Sequence, residues 1–312
     1  MPRTKGIALS LAAAVTLALA APGSASAQYH VPYGNEALAD FANAEINAPT
    51  DVAGANNPSC RSSAHPYPVV LVHGTIEDEG SNWVTLAPLL ADNGYCVYAF
   101  NYGETLLSLG GRVDGLNYIE HSAEELSSFV DHVLSVSGAS KVDIVGHSQG
   151  GMMPNWYIHF LGGAAKVNEL IGLAPSNHGT TVDGLATLLG ELPFAEQLDG
   201  LIDDVGAPSL VQQLENSAFN QKLFGAGEPL APGVRYVVIE STHDEVVTPY
   251  TNAFLHGANV TNITVQEQCP QDPTAHIGMN WDSPSLQNVL NQLSQSPDPS
   301  FQAKCEHYGT SI

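Results

Sequence analysis

The chain has 312 residues, 44% of them apolar, and carries 9 Lys and Arg against 32 Asp and Glu for a net charge of −23. That apolar share excludes a disordered chain, and the length allows a substantial core in one large domain or two small ones. The negative surface argues against nucleic acid and anionic membranes as partners. A solvated acidic surface explains it without invoking a metal, because charged residues are only 13% of the chain and the imbalance reflects scarce Lys and Arg.

In chain order, residues 1–27 begin with Arg3 and Lys5, continue through the apolar run Ile7 to Ala21 and end in Ala25-Ser26-Ala27. This pattern predicts a secretory signal peptide, with Gln28 as the first mature residue and an extracellular destination. The run is too short for a spanning helix, and no later segment qualifies, so no integral membrane association is expected. No cysteine follows the cleavage site to carry a lipid. Losing Arg3 and Lys5 leaves 7 basic against 32 acidic residues, or −25. The cysteines Cys60, Cys96, Cys269 and Cys305 are even in number and read as two disulfides, with three connectivities open at this point. None has the Cys-x-x-Cys spacing of a zinc site, and no metal is expected.

Residues 28–58 are polar and rich in Gly, Ala and Asn, which predicts a surface arm. A strand follows at Val69 to Val72, then a helix near Trp83 to Asp92 and a strand from Cys96 to Asn101. Ser122-Ala123-Glu124-Glu125 reads as a capping box opening a helix whose apolar face is Leu126, Phe129, Val130, Val133 and Leu134. Next come a strand at Val142 to Val145, a helix from about Gly150 to Leu161 bent by Pro154, and a strand from Leu170 to Ala174. Val234 to Ile239 and Val260 to Val265 are the last strands. Strands alternating with helices predict an α/β fold, a mostly parallel sheet with helices on both faces, in a single domain over 28–312. Between Ala174 and Val234 lie roughly 55 residues, far beyond an ordinary connection, so about 181–232 forms a cap or lid-like insertion. Leu185, Leu188, Leu189, Leu192, Phe194, Leu198, Leu201 and Ile202 make it apolar. It serves as a capping subdomain with its own small core, as a wall and partial lid of an acyl-chain groove, or as both.

The stretch "VDIVGHSQGG", Val142 to Gly151, drives an apolar strand straight into a serine boxed by glycines. Between a strand and a helix, Gly-x-Ser-x-Gly predicts a nucleophile elbow, a strained turn that exposes Ser148 at the carboxyl end of the sheet. Such a serine needs an acid and then a base, each after a later strand. "STHDEVVTPY" offers Asp244, with Glu245 as the alternative, and His243 as a shaper of the loop. Of the later histidines, His276 in "CPQDPTAHIGMN" follows the last strand; His256 precedes that strand and His307 lies in the tail. Two backbone donors for an oxyanion are expected at Gln149, just after the serine, and at Thr75, in the loop after the first strand. The Thr75 hydroxyl is a candidate third donor, and His73 a brace for that loop.

Together, "PVVLVHGT", "GYCVYAFNYG", "VDIVGHSQGGMMPNWYIHFLGG", "LIGLAPSNHGTT" and "HDEVVTPYTNAFL" resemble the secreted bacterial triacylglycerol lipases of the α/β-hydrolase class 2 family, in particular the actinobacterial branch. The resemblance runs from about Cys60 to Cys305. It implies an α/β-hydrolase fold, no cofactor, and the same residues: Ser148 as nucleophile, Asp244 as acid, His276 as base, Thr75 and Gln149 as oxyanion amides. "DDVGAPSLVQQL" departs from relatives that carry a further cysteine pair there, which leaves the local fold of that segment in doubt. The implied activity is ester hydrolysis of a lipid at an oil–water interface by a monomer. The alternatives are a short-chain carboxylesterase or cutinase-like polyesterase, a serine peptidase, and a non-catalytic hydrolase-fold binding protein. The cysteine pairs expected are Cys60–Cys96, joining the segments that lead into neighbouring strands, and Cys269–Cys305, fastening the tail beside the loop that bears His276.

Overall fold

Six strands, β1 (Val69–Val72), β2 (Val97–Ala99), β3 (Val142–His147), β4 (Val167–Leu173), β5 (Arg235–Glu240) and β6 (Val260–Thr264), pair in the order β2-β1-β3-β4-β5-β6 in a computed structural model. It describes Met1, residues 29–190 and residues 206–312. The predicted signal peptide lies outside the described residues, as do Leu192, Phe194, Leu198, Leu201 and Ile202 of the insertion. Every strand pair is parallel.

Burial on both faces is why β1 reads as an unbroken apolar run and why every residue of β3 is buried, Asp143 included. Alternate side chains serve opposite layers. Val70 and Val72 join the core beneath α4 (Ile119–Ser137) and α5 (Gln149–Phe160), with Leu126, Val130, Met152 and Trp156. Val69 and Leu71 face the other layer, formed by α3 (Leu86–Asp92), which follows the single turn α2 (Glu79–Asn82), and by a late helix at Ser283–Gln292, with Leu86, Leu90, Leu286 and Val289.

Two expectations are corrected. The polar arm contains a helix, α1 (Gly34–Asn47), whose Ala37, Phe41 and Ala44 are buried; Phe41 packs on Trp281 with ring centroids 5.5 Å apart. Their spacing of four and three is an amphipathic stripe, diluted in the overall composition by polar neighbours. The capping box at Ser122 is not formed, because α4 already starts at Ile119 and Ser122 lies inside its first turn. The Ile119 amide is satisfied from elsewhere, by Gln212 Oε1 at 2.7 Å. A cap supplied by tertiary structure made the local one unnecessary. The cysteines pair as expected, Cys60 with Cys96 and Cys269 with Cys305.

Candidate active site

The backbone of Ser148, between β3 and α5, has φ 53° and ψ −123°. A side-chain-bearing residue rarely adopts such a conformation, and it persists only where its surroundings enforce it. Here the Ser148 amide donates to Leu173 O at 2.9 Å, continuing the β3–β4 ladder up to the turn. The flanking glycines answer a packing demand. A Cβ on Gly146 would sit 1.9 Å from Gly150 O, and one on Gly150 would sit 2.1 Å from Val72 O and 2.3 Å from His73 O. Backbone meets backbone at both positions, so only glycine fits. The amide of Gln149, in the first turn of α5, has no intrahelical acceptor and lies at the positive end of the helix dipole.

β5 runs into the turn that carries Asp244. Its Oδ1 accepts from the amides of Val246 and Val247, both at 2.8 Å. Its Oδ2 lies 2.7 Å from His276 Nδ1, with both side chains out of solvent. The far ring nitrogen of His276, Nε2, is buried and has no hydrogen-bond partner among the described residues. The tail fixes the His276 loop, as Ala275 N donates to Thr310 O at 2.9 Å and Gly278 N to Ile312 O at 3.0 Å. Behind Asp244 stands Glu240, fully buried at the end of β5. Its Oε1 accepts from Ser241 N at 2.7 Å, and its Oε2 has no hydrogen-bond partner among the described residues. Burial first, and Asp244 second, push Glu240 well above the usual carboxyl range. Glu240 is therefore held as a neutral acid beside Asp244.

The alternatives fall elsewhere. Glu245 and His243 are exposed. His256 Nδ1 lies 3.2 Å from Glu228 at the surface, and exposed His307 stacks on Tyr33.

Thr75 sits in the loop after β1, across from Gln149. Its Oγ1 accepts from Gln149 Nε2 at 2.7 Å and from Gln213 Nε2 at 2.8 Å. With both lone pairs engaged, the hydroxyl hydrogen is all the group has left to offer. Gln213 is held in turn by Ser176 Oγ at 2.9 Å from its Oε1. Sequence reasoning missed Gln213, which lies in the segment left in doubt and carries no local signal. His73 braces the loop: Nδ1 is 2.8 Å from Gly74 O, the ring stacks on Tyr102, and burial lowers its pKa to about 4. Around this site Ile76, next to Thr75, and Val246, next to the Asp244 turn, share an apolar cluster with Leu188 and Leu210 from the stretch between β4 and β5. A helix at Val182–Gly190 presses on that turn so closely that a Cβ on Gly184 would lie 2.2 Å from Val246 O.

The family profile described as Lipase (class 2) matches residues 66–284. Lipase B of Pseudozyma antarctica is 27% identical over 226 residues, 70% of this chain and 58% of that protein. A triacylglycerol lipase of Pseudarthrobacter phenanthrenivorans is 38% identical over 95 residues, covering 29% of this chain and 27% of that one. The chain thus spans less than two-thirds of the length of these relatives. The crystal structure of Aspergillus fumigatus lipase B aligns with a TM-score of 0.61 at 24% identity, over 90% of this chain and 61% of that one. The mature lipase BlEst2 of Bacillus licheniformis gives 0.54 at 16% identity, over 77% and 96%. This likeness shows the α/β-hydrolase fold.

Proposed function

The chain belongs to the class 2 lipase family, and from that premise we propose that it is a secreted serine hydrolase cleaving triacylglycerols to free fatty acids. One observation carries the reading: His276 has Nδ1 held by a buried carboxyl at 2.7 Å and leaves Nε2 unbonded. That is the arrangement a general base needs, with tautomer and ring fixed by the acid. Ser148 Oγ attacks the ester carbonyl as His276 Nε2 takes its proton. The oxyanion is received by the Gln149 and Thr75 amides and by the Thr75 hydroxyl. His276 returns the proton to the departing alcohol; water then opens the acyl-enzyme with His276 again as base. No cofactor enters.

Triacylglycerol as substrate is supported by a relative of that name and by the apolar cluster beside the site, which suits an acyl chain. Leu106, Val182 and Val211 are exposed next to that cluster, at 98%, 69% and 57%, and suit contact with an oil surface. The two disulfides fit an oxidising compartment outside the cell.

Ser148→Ala should lower kcat by about 10⁶; a variant retaining a tenth of wild-type activity would remove the serine from its role. Turnover of an emulsified long-chain triglyceride set against a soluble short-chain ester tests the substrate. Activity on the soluble ester alone would make the protein a carboxylesterase.

A further inference from the structure

Behind the proposed triad lies a second histidine–carboxyl pair, His147 and Glu77, with side chains only 1% and 4% exposed. His147 directly precedes Ser148, and Glu77 lies two residues beyond Thr75. Glu77 Oε2 stands 2.9 Å from His147 Nδ1 and also accepts from the Gly74 amide at 2.9 Å. On the far side of the ring, His147 Nε2 is 3.2 Å from the backbone carbonyl of His276. The Asn280 amide nitrogen closes the pair off, 3.2 Å from His147 Nδ1 and 3.5 Å from Glu77 Oε1. The rings of His147 and His276 are 4.9 Å apart.

The hydrogens can be assigned from the acceptors. Nε2 faces a carbonyl, which only accepts, so that nitrogen carries a hydrogen. At the other end one further proton lies between Nδ1 and the Glu77 carboxyl. Gly74 bears an independent mark of the same arrangement. A Cβ there would lie 2.3 Å from Glu77 Oε2 and 2.9 Å from His147 Nδ1. The oxyanion loop therefore has glycine where the pair comes closest to its backbone.

One side-chain pair thus links three stretches of main chain that a triad hydrolase must hold together: the elbow, the oxyanion loop and the base loop. We infer that Glu77 and His147 act as a single proton-sharing positioning unit that keeps Thr75 and His276 in register with Ser148, and so sets turnover rather than substrate affinity. This rests on the triad proposed above. Neither residue touches the reacting atoms. Their effect passes through the Gly74 amide and the His276 carbonyl, and a displacement of about 1 Å at such positions costs on the order of 100-fold in rate.

The test uses the full chain and a soluble short-chain ester, with rates divided by the sites titrated by a fluorophosphonate. Glu77→Gln, His147→Gln and the double variant are compared with wild type. Each single change should lower kcat by about 10- to 100-fold and leave KM within about threefold. The double variant should be no slower than the slower single one, as expected of residues that act as a unit. Glu77→Asp, which withdraws the carboxyl by one methylene, replaces Glu77→Gln if the latter does not accumulate folded, with the same result expected. A kcat within twofold of wild type in either Glu77 variant overturns the inference. Losses that multiply in the double variant, or that appear in KM, do the same. Failure of the triad itself looks different, since wild type would then not titrate with the fluorophosphonate and Ser148→Ala would stay active.

Discussion

Asp244 and Glu45 are both carboxyl groups withdrawn from water, and their surroundings treat them in opposite ways. Asp244 receives two backbone amides and an imidazole. Glu45, on the inner face of α1, finds no partner for either oxygen among the described residues. It looks instead toward other acids, Glu77 and Asp78. Burial first, and those two groups after it, push Glu45 up to about 8. Asp78 is pushed up to about 7, also chiefly by burial, although Ser81 donates to it. Burial beside other acids therefore makes a neutral acid, whereas two backbone amides and an imidazole suit a carboxylate that orients a base. The first arrangement makes stability depend on pH, and the second makes chemistry possible.

The sharpest way to break the comparison is to spoil the donor pattern without changing its shape. Asp244→Asn keeps an oxygen for the Val246 and Val247 amides but turns an N–H toward His276 Nδ1. The imidazole must then hold its hydrogen on Nε2, where the serine proton has to go. Kinetics on a soluble ester near neutral pH should show kcat reduced by about 10⁴, the loss found when a triad acid is changed this way in a trypsin-like protease. A loss of less than tenfold would mean that Asp244 does not orient His276.

Thr75 comes next. Thr75→Val removes the hydroxyl and strands two glutamine amides that now donate to it. Loss of one oxyanion donor typically costs 10²–10³ in kcat, and Thr75→Ser should recover most of it. Equal losses in the valine and serine variants would leave the hydroxyl out of the reaction. Glu240 gives a smaller effect, with its sign set by pH. Glutamine is uncharged, as the neutral acid is, and can accept from Ser241 in the same way, so Glu240→Gln should match wild type near neutrality. In the wild type, rising pH eventually ionises Glu240 against Asp244. The variant should therefore keep a few-fold more of its activity on the alkaline side; superimposable alkaline limbs would show that Glu240 plays no part.

The contrast between partnered and orphaned carboxyls also marks what could be read in the sequence. Ser148 was legible because strand, glycines and helix are adjacent in the chain and each obeys local rules. Asp244 and His276 were legible because parallel strands place their following loops at one end of the sheet. Gln213, Glu77 and Glu240 were not, since each matters only through a neighbour 138, 70 or four positions away. Even the short separation between Glu240 and Asp244 gave no signal, because a glutamate closing a strand usually points to solvent. The start of α4 was misplaced for the same reason: its cap comes from Gln212, 93 positions on. The helix in residues 34–47 was within reach of periodicity and was lost to a reading by composition.

The orphaned carboxyl supplies the smallest effect, visible in stability alone. Glu45 has an ordinary value near 4.5 and is raised to about 8 in the folded chain. Between those values the unfolded chain has released the proton that the folded chain keeps. Raising the pH across that window therefore favours unfolding, and the stabilisation present below about 4.5 is gone by about 8. One such group contributes at most about 1.4 kcal/mol per pH unit, and each kcal/mol moves Tm by about 2–4 °C in a chain of this size. Glu169, raised to about 8, and Asp78 and Glu79, each raised to about 7, act in the same direction, again chiefly through burial. The wild type should therefore lose Tm steadily from pH 5 to pH 8. Glu45→Gln, which cannot titrate, should flatten that decline by as much as about 10 °C without removing it. Asp40→Asn, on the exposed side of the same helix, is the control and should leave the slope as it is. Parallel Tm curves for wild type and Glu45→Gln would show that Glu45 keeps its charge when folded, and the contrast with Asp244 would then fail at its weaker end.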